Sequence, residues 1–219
     1  MHTAEQIEAA RAALGLLDPG LAVAHAATPP FAWRTKPSGF AELIKLVLEQ
    51  QVSVASAIAI WKRLEAGLGT VDSASILGCD IETLKGFGLS GPKARYVHAV
   101  AEAEACGAID FVALRELDDL QAVAKLIAIK GIGRWTAEAY LMGCEGRTDL
   151  FPAGDLALQE GLRMADGAAI RLTEKALYAR AEAWRPFRGV AAHLLWAYYT
   201  GVKRGLIVPP APAASLEVG

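Results

Sequence analysis

Two features with the potential for chemistry lie close together in the middle of the chain. Lys130-Gly131-Ile132-Gly133 is a short glycine turn between two stretches of helical spacing, and Asp155 follows 22 residues after Gly133. Two glycines permit a tight turn that another molecule can approach, and the amides that open the next helix can bind an anion. The turn is therefore suited to a phosphate, and the aspartate to a developing positive charge.

Both features also have simpler interpretations. A Gly-Ile-Gly turn can be an ordinary helix–turn–helix connection with a glycine cap. It also loosely matches the GxGxxG turn of dinucleotide-binding proteins, but Thr136 occupies the place of the third glycine and the preceding segment has helical spacing. Asp155 stands where an N-cap aspartate would stand, so capping and catalysis are both open. Lys130 and Arg134 flank the turn, and their charge favours a phosphate without any reading of base sequence.

The elements around these features are predicted to be helices, and the predicted fold class is all-α. Apolar residues recur at helical spacing along the chain, and no segment of useful length has strand spacing. Residues 21–39 are expected to be irregular, and the Pro/Ala-rich segment 208–219 is expected to be a mobile tail. The predicted helices cover 4–17, 40–66 with a break at Gln50-Gln51-Val52, two short pieces in 71–90, 92–105, 119–129, 134–144, 155–165, 173–184 and a last helix from Pro186.

Composition excludes several classes of protein. The three cysteines are too widely spaced for a metal knuckle, and none follows Cys144, which excludes a C-terminal iron–sulfur loop. No apolar run approaches the roughly 20 residues that a membrane span needs, and the first residues lack an apolar signal core. We expect a soluble cytoplasmic protein with reduced thiols. The net charge of −2 predicts modest non-specific affinity for nucleic acid.

Four segments, in this order along the chain, resemble those of the helix–hairpin–helix (HhH-GPD) DNA glycosylases, and in particular the 3-methyladenine DNA glycosylase II, or alkylbase, branch. They are EQQVS (49–53), LSGPKA (89–94), LIAIKGIGRWTAEAYLM with FPAGD (126–142 and 151–155), and WRPFR (184–188) with Trp196. The resemblance covers roughly residues 30–204. It implies the short, all-helical form, a single domain over residues 1–219 with a cleft between two lobes. Lobe one would comprise about 1–30 and 145–207, and lobe two about 40–144.

The resemblance implies a monofunctional DNA glycosylase of base excision repair, which flips out alkylated bases and hydrolyses the N-glycosidic bond. Bifunctional members carry a lysine two positions after the second glycine of the hairpin. Trp135 stands there in this chain, so no Schiff base and no strand cleavage are expected. Asp155 is the expected catalytic residue. The expected aromatic wall for a cationic base consists of Trp135, Trp196, Tyr140, Phe31 and Trp33.

The expected DNA contacts fall into three groups. The hairpin contributes Lys130, Gly131, Ile132, Gly133 and Arg134; a second turn contributes Gly91 and Lys93; and the bend at Gln50, Gln51 and Val52 supplies a wedge for the space that the flipped base leaves. The family also implies Na⁺ or K⁺ on the backbone carbonyls of Ile129, Gly131 and Ile132, with no required cofactor. Arg188 could be structural, through a pair with a carboxylate, or functional.

Two alternatives remain open from the sequence. The chain could bind damaged DNA through its hairpin without releasing a base, or it could be a family glycosylase for uracil, hypoxanthine or ethenoadenine. Ala139 occupies a position where the large family enzyme has a tyrosine, so the range of lesions is open. We expect the protein to be a monomer that acts on double-stranded DNA. Its expected location is the bacterial cytoplasm, in association with the nucleoid.

Overall fold

Helices are the regular secondary structure of the chain. The computed structural model describes residues 3–33 and 35–211, and these ranges contain twelve α-helices, two short 3-10 helices and no strand, which confirms the all-α prediction. The α-helices are α1 (Ala4–Leu17), α2 (Pro19–Ala27), α3 (Phe40–Glu49), α4 (Val54–Leu68), α5 (Ser73–Leu77), α6 (Ile81–Gly86), α7 (Gly91–Ala105), α8 (Asp119–Ile127), α9 (Arg134–Glu145), α10 (Leu156–Ala165), α11 (Glu174–Ala181) and α12 (Arg188–Lys203). The 3-10 helices are Ala113–Glu116 and Glu182–Trp184.

The helices divide into two compact units. The first unit holds α1, α2 and α10 to α12, in residues 3–33 and 146–211, and the second holds α3 to α9, in residues 35–145. Across the described residues, no helix combines the length and the apolar character that a bilayer crossing requires. All three cysteines are free thiols. Most of the expected mobile tail, residues 212–219, lies outside the described residues.

Side-chain caps explain why the helices begin where they do. Five side chains accept a hydrogen bond from a backbone amide in the first turn of the helix that follows: Ser53, Asp72, Asp80, Asp118 and Thr173. These caps explain why α4, α5, α6, α8 and α11 begin directly after the five residues.

The structure differs from the prediction most clearly at α2 and at the start of α12. The segment from residue 21 was expected to be irregular, but α2 runs through Ala27, with Asp18 as its N-cap and Pro19 in its first turn. Asp18-Pro19-Gly20 is therefore a start signal as well as a stop signal, because proline suits a first helical position. The last helix begins at Arg188 instead of Pro186.

The Asp18 carboxylate joins separate segments of the first unit. Its Oδ1 accepts hydrogen bonds from the amides of Gly20 (2.9 Å) and Leu21 (3.2 Å), which cap α2. Arg180 on α11 donates to both carboxylate oxygens, at 2.6 and 2.7 Å, and the Trp184 indole N–H donates to Oδ2 at 3.0 Å. Asp18 is only 6% exposed, so these donors replace the water that the carboxylate loses on folding.

This network makes the stability of the fold depend on pH. Burial alone would raise the pKa of Asp18, but the hydrogen bonds and the charge of Arg180, with the donors from Leu21 and Trp184, lower it below the ordinary value of 3.8. A lowered pKa in the folded state means that the folded protein releases this proton more readily than the unfolded chain. The contribution to stability is therefore complete above the ordinary pKa and is lost as the pH falls through the lowered one.

We expect Arg180→Leu to lower the free energy of unfolding by about 3–5 kcal/mol, because it leaves the buried Asp18 carboxylate without its main partner. Urea unfolding at pH 7 measures this change. The matched control is Arg171→Leu, whose side chain is 45% exposed and lies 3.9 Å from Glu160. The control should change stability by less than about 0.5 kcal/mol. Equal losses in the two variants would contradict the central role of Asp18.

Candidate functional site

The hairpin between α8 and α9 requires glycine at Gly131 for two reasons. Its backbone has φ +92°, and a Cβ there would lie 2.2 Å from Cγ of Tyr96 on α7. The amide of Ile132 donates to the carbonyl of Ile129 at 3.0 Å, which closes the turn. The side chains of Ile129 and Ile132 are 7% and 4% exposed, so they anchor the turn in the core of the second unit.

The other side of the same turn is open. A Cβ on Gly133 would meet no heavy atom within 4 Å, and Lys130, Gly133 and Arg134 are exposed. Arg134 also pairs with Glu138 at 2.9 Å. Two exposed cations therefore flank an open backbone at the start of α9, which is the arrangement that binds a phosphate. Because its side chain is buried, Ile132 can contribute only backbone atoms to this surface.

Gln50 connects the end of α3 to the hairpin. Its Nε2 donates to the carbonyl of Gly131 at 3.3 Å and to the hydroxyl of Thr136 at 3.0 Å. The side chain that was expected to approach DNA is thus held within the protein. Gln51 and Val52 are the exposed members of the bend, and Gln51 has φ +54°, a conformation that is costly for a residue other than glycine.

Lys93, expected as a phosphate ligand, is turned into the protein in this structure. Lys93 is only 8% exposed, and its Nζ donates to the carbonyl of Leu48 at 2.5 Å, in the last turn of α3. Burial lowers the pKa of this amine. The lysine therefore caps the carboxyl end of α3 from α7, a use that sequence spacing alone does not reveal. Gly91, the first residue of α7, is partly exposed.

Asp155 is fixed at the start of α10 in the first unit. Its Oδ1 accepts hydrogen bonds from the amides of Ala157 (2.8 Å) and Leu158 (3.1 Å), which confirms the N-cap interpretation. The turn before it is closed by its own amide, which donates to the carbonyl of Pro152 at 2.8 Å. The carboxylate is partly exposed, and it lies at the positive end of a helix dipole. A cap of this kind holds the carboxylate in one orientation without removing it from solvent.

The loop that leads to Asp155 is tied to α12 by an arginine. Arg188, 8% exposed, donates to Oδ1 of Asp149 at 2.8 Å, to the carbonyl of Asp149 at 2.5 Å and to Glu182 at 2.8 Å. The amide of Gly189 donates to the carbonyl of Thr148 at 2.7 Å. Of the two roles open for Arg188 from the sequence, these contacts support the structural one.

Three of the five expected pocket aromatics meet in the first unit, around a histidine that the sequence analysis missed. The ring centre of His193 lies 4.2 Å from that of Trp33, 5.5 Å from that of Trp196 and 6.2 Å from that of Phe31. We call Phe31, Trp33, His193 and Trp196 the aromatic cluster. The sequence did contain a signal for this residue, because a histidine within the apolar run AAHLLW lies three residues before Trp196.

A buried arginine holds the loop that carries two members of this cluster. Arg11, on the buried face of α1, is 1% exposed and donates to the carbonyls of Thr28 (2.6 Å) and Pro29 (3.3 Å). Its guanidinium carbon lies 4.9 Å from the ring centre of Phe31. The signal for Arg11 was its spacing, because residues 7, 10, 11 and 14 share one helix face.

The other two expected aromatics belong to the second unit. Tyr140, expected in the pocket wall, is fully buried in the core of this unit, and its hydroxyl accepts a hydrogen bond from the amide of Gly39 at 2.7 Å. Burial raises the pKa of this hydroxyl far above its ordinary value. Trp135, the second residue of α9, is half-buried directly after the open side of the hairpin. It therefore stays a candidate.

The family is evident from comparison with known proteins. Residues 44–186 match the family described as HhH-GPD superfamily base excision DNA repair protein. DNA-3-methyladenine glycosylase 1 of Schizosaccharomyces pombe is 32% identical over 165 residues, which are 74% of this chain and 72% of that protein.

Two solved structures have folds similar to that of this chain, and both are named as 3-methyladenine glycosylases or glycosidases. The fission-yeast 3-methyladenine DNA glycosylase in complex with abasic DNA superposes with a TM-score of 0.76 at 29% identity, over 85% of this chain and 94% of that one. A DNA-3-methyladenine glycosidase of Bacillus halodurans gives a TM-score of 0.70 at 32% identity, over 80% of this chain and 81% of that one.

The Gln50 contacts generate a prediction for the hairpin. Gln50→Leu removes both hydrogen bonds and leaves the Thr136 hydroxyl, in a buried residue, without this donor, so the free energy of unfolding should fall by about 1–3 kcal/mol. Hydrogen exchange at the Ile132 amide should become faster in the same variant. Gln51→Leu, one residue along the exposed bend, is the control and should change stability by no more than about 0.5 kcal/mol. If the two variants behave alike, Gln50 does not hold the hairpin.

Proposed function

Because the chain belongs to the HhH-GPD superfamily of base excision DNA repair proteins, we propose that it is a monofunctional DNA glycosylase that releases alkylated bases. Bases of the 3-methyladenine and 7-methylguanine type are the proposed substrates, and an abasic site is the product. The observation that carries the proposal is the oriented, partly exposed Asp155 carboxylate, in a chain whose hairpin is followed by Trp135 instead of a lysine.

The hairpin would hold the DNA backbone. The open amides at the start of α9, with Lys130 and Arg134, bind phosphate without reading bases, so damaged sites of any sequence are accepted. The flipped nucleotide leaves a gap in the stack that the protein has to fill. Gln51 and Val52 are the candidates for this wedge because they are the exposed residues of the bend.

The chemistry follows from the leaving group. A purine methylated at a ring nitrogen is cationic, so it departs with the electron pair of the glycosidic bond and becomes neutral without a general acid. The sugar then carries the positive charge at C1′, where the Asp155 carboxylate stabilises it. A water molecule attacks C1′ and loses its proton to Asp155 or to solvent. The aromatic cluster supplies faces on which a cationic base can stack, and Trp135 in the second unit stays a separate candidate for such stacking.

A monovalent cation at the hairpin is a further part of the proposal. The carbonyls of Ile129 and Gly131 each accept one hydrogen bond within the protein, from Ile132 and Gln50, and a carbonyl oxygen has a second lone pair. With the carbonyl of Ile132 they would hold Na⁺ or K⁺, which would add positive charge beside a bound phosphate. Within the described residues, no group of three or more His, Cys, Asp or Glu could hold a metal ion.

We further propose that the protein acts as a monomer on double-stranded DNA, in the bacterial cytoplasm and associated with the nucleoid. The fission-yeast relative bound to abasic DNA supports the choice of partner.

Asp155→Asn tests the catalytic role of the charge separately from the cap, because asparagine caps a helix as well as aspartate does. We expect release of 3-methyladenine from methylated DNA to fall by about 100-fold or more, with affinity for an abasic-site analogue unchanged within about threefold. The control is Asp80→Asn, which alters another N-cap aspartate, on α6, and should leave activity unchanged. Full activity of Asp155→Asn would refute the proposed mechanism, and tight binding without release by the unaltered protein would favour a damage-binding protein.

The identity of residue 135 predicts the fate of the DNA strand. The unaltered protein should form no covalent complex with damaged DNA under borohydride, and strands should break only after alkali treatment, because Trp135 offers no amine. Trp135→Lys is the matched variant in which trapping becomes chemically available. A panel of oligonucleotides with alkylated, uracil, hypoxanthine and ethenoadenine lesions, assayed with and without alkali, measures substrate range and lyase activity together. Trapping of the unaltered protein would show that it is bifunctional.

A further inference from the structure

His193 places a polar atom within an otherwise apolar group of rings. Its neighbours in the aromatic cluster are Trp33, whose plane is tilted by 39°, Phe31, stacked at 26°, and Trp196, edge-on at 73°. Stacking on these rings would explain affinity for any cationic base, since every base has a flat face. It would not distinguish one alkylated base from another, whereas an oriented hydrogen-bonding group would.

The backbone decides which nitrogen of His193 carries the proton. Nδ1 lies 3.0 Å from the carbonyl oxygen of Gly189, one turn earlier on α12. A carbonyl only accepts hydrogen bonds, so Nδ1 carries the hydrogen, and Nε2 of the neutral ring is then an acceptor. Burial lowers the pKa of His193, against a smaller opposing effect of the Gly189 hydrogen bond, so the ring is neutral at pH 7. Among the described residues, Nε2 has no hydrogen-bond partner.

The segment that carries Asp155 packs against α12, the helix that carries His193. Two of the contacts between this segment and α12 show which stretches meet. The amide of Gly189 bonds to the carbonyl of Thr148, and a Cβ on Gly161 would lie 2.9 Å from the carbonyl oxygen of Leu195. In sequence, Asp155 lies between Thr148 and Gly161, the two contact points on its own segment. His193 lies between Gly189 and Leu195, the two contact points on α12. The carboxylate and the imidazole therefore belong to neighbouring stretches of one unit.

We propose that His193 determines which alkylated base is released, because its Nε2 accepts a hydrogen bond from the amino group at position 6 of a flipped 3-alkyladenine. The proposal rests on the proposed function and adds a specificity residue to it. The amino group of a cationic adenine is a strong donor, since the positive charge of the ring strengthens the hydrogen bond. A neutral imidazole accepts this hydrogen bond and does not repel the charge.

A guanine-type base presents the opposite group at the same place. Position 6 of 7-methylguanine is a carbonyl oxygen, which has lone pairs and no hydrogen to donate. Opposite Nε2 it would bring two acceptors together and leave both unpaired. The site should therefore prefer 3-methyladenine, and the preference should depend on Nε2.

The aromatic loop is held in place before any base arrives, which an oriented hydrogen bond requires. Arg11 binds the carbonyls of Thr28 and Pro29 and lies over the ring of Phe31. Trp33 follows two residues later and packs on His193. Arg11 is a positioning residue here, since it touches the loop and not the base.

His193→Phe is the direct test, because it keeps a ring in the aromatic cluster and removes the acceptor. DNA treated with a methylating agent is incubated with excess enzyme, and the released 3-methyladenine and 7-methylguanine are separated and timed in the same reaction. We expect the single-turnover rate for 3-methyladenine to fall by about tenfold, with the rate for 7-methylguanine changed by less than about threefold. His98→Phe, a half-buried histidine on α7 in the other unit, is the matched control and should alter neither rate.

The ratio of the two rates separates the outcomes. A selective loss of 3-methyladenine release supports the proposal, and equal loss of both bases, or no loss, overturns it. If the unaltered enzyme releases neither base, the proposed function itself has failed, which is a different result. If His193→Phe does not fold, competition by free bases with the unaltered enzyme decides. Free 3-methyladenine should inhibit about tenfold more tightly than 3-methylhypoxanthine, which differs at position 6, and equal inhibition overturns the proposal.

Discussion

A carboxylate that is almost fully removed from water has to be satisfied by the protein, and Asp18 meets this requirement by collecting donors from separate parts of the first unit. The α2 amides, the Arg180 guanidinium and the Trp184 indole all converge on it. The N-terminal helices are thereby joined to the segment that leads into α12. Since α2 ends where the loop of Phe31 and Trp33 begins, and α12 carries His193 and Trp196, the Asp18 network holds the helices on both sides of the aromatic cluster, while Arg11 holds the loop itself.

In the second unit the controlling constraint is close packing at Gly131. The ring of Tyr96 occupies the space of a side chain at this position, and Gln50 donates to the carbonyl of the same residue. The turn is thus held by α7 on one side and by the end of α3 on another, while Gly133 stays open. Lys93 on α7 also stabilises the carboxyl end of α3, because it donates a hydrogen bond to the carbonyl of Leu48. A rigid backbone suits phosphate binding, because amides that already point outward need no reorganisation.

The sequence was informative wherever the signal was local. Helix positions, most caps and the all-α class follow from spacing and from the residues that bind their own first turn. It did not reveal the partners of Lys93 and Tyr140, whose types suit a phosphate site and an aromatic wall. Both were assigned to the site by resemblance, but a lysine can bind a distant carbonyl, and a tyrosine hydroxyl can accept the amide of Gly39, 101 residues away along the chain. Such partners are set by tertiary contacts, which periodicity does not record.

By itself the sequence determined the family, the helices, and the chemical groups available for catalysis: a hairpin with two glycines, an aspartate at a helix start, and tryptophan in the place of a lysine. Only the tertiary structure decided which of these groups face outward. It turned Gln50 and Lys93 inward, left Gln51 and Gly133 exposed, and brought His193 among Phe31, Trp33 and Trp196. The physical reason is that local preferences set backbone conformation, whereas burial and hydrogen-bond satisfaction depend on residues that are distant in the chain.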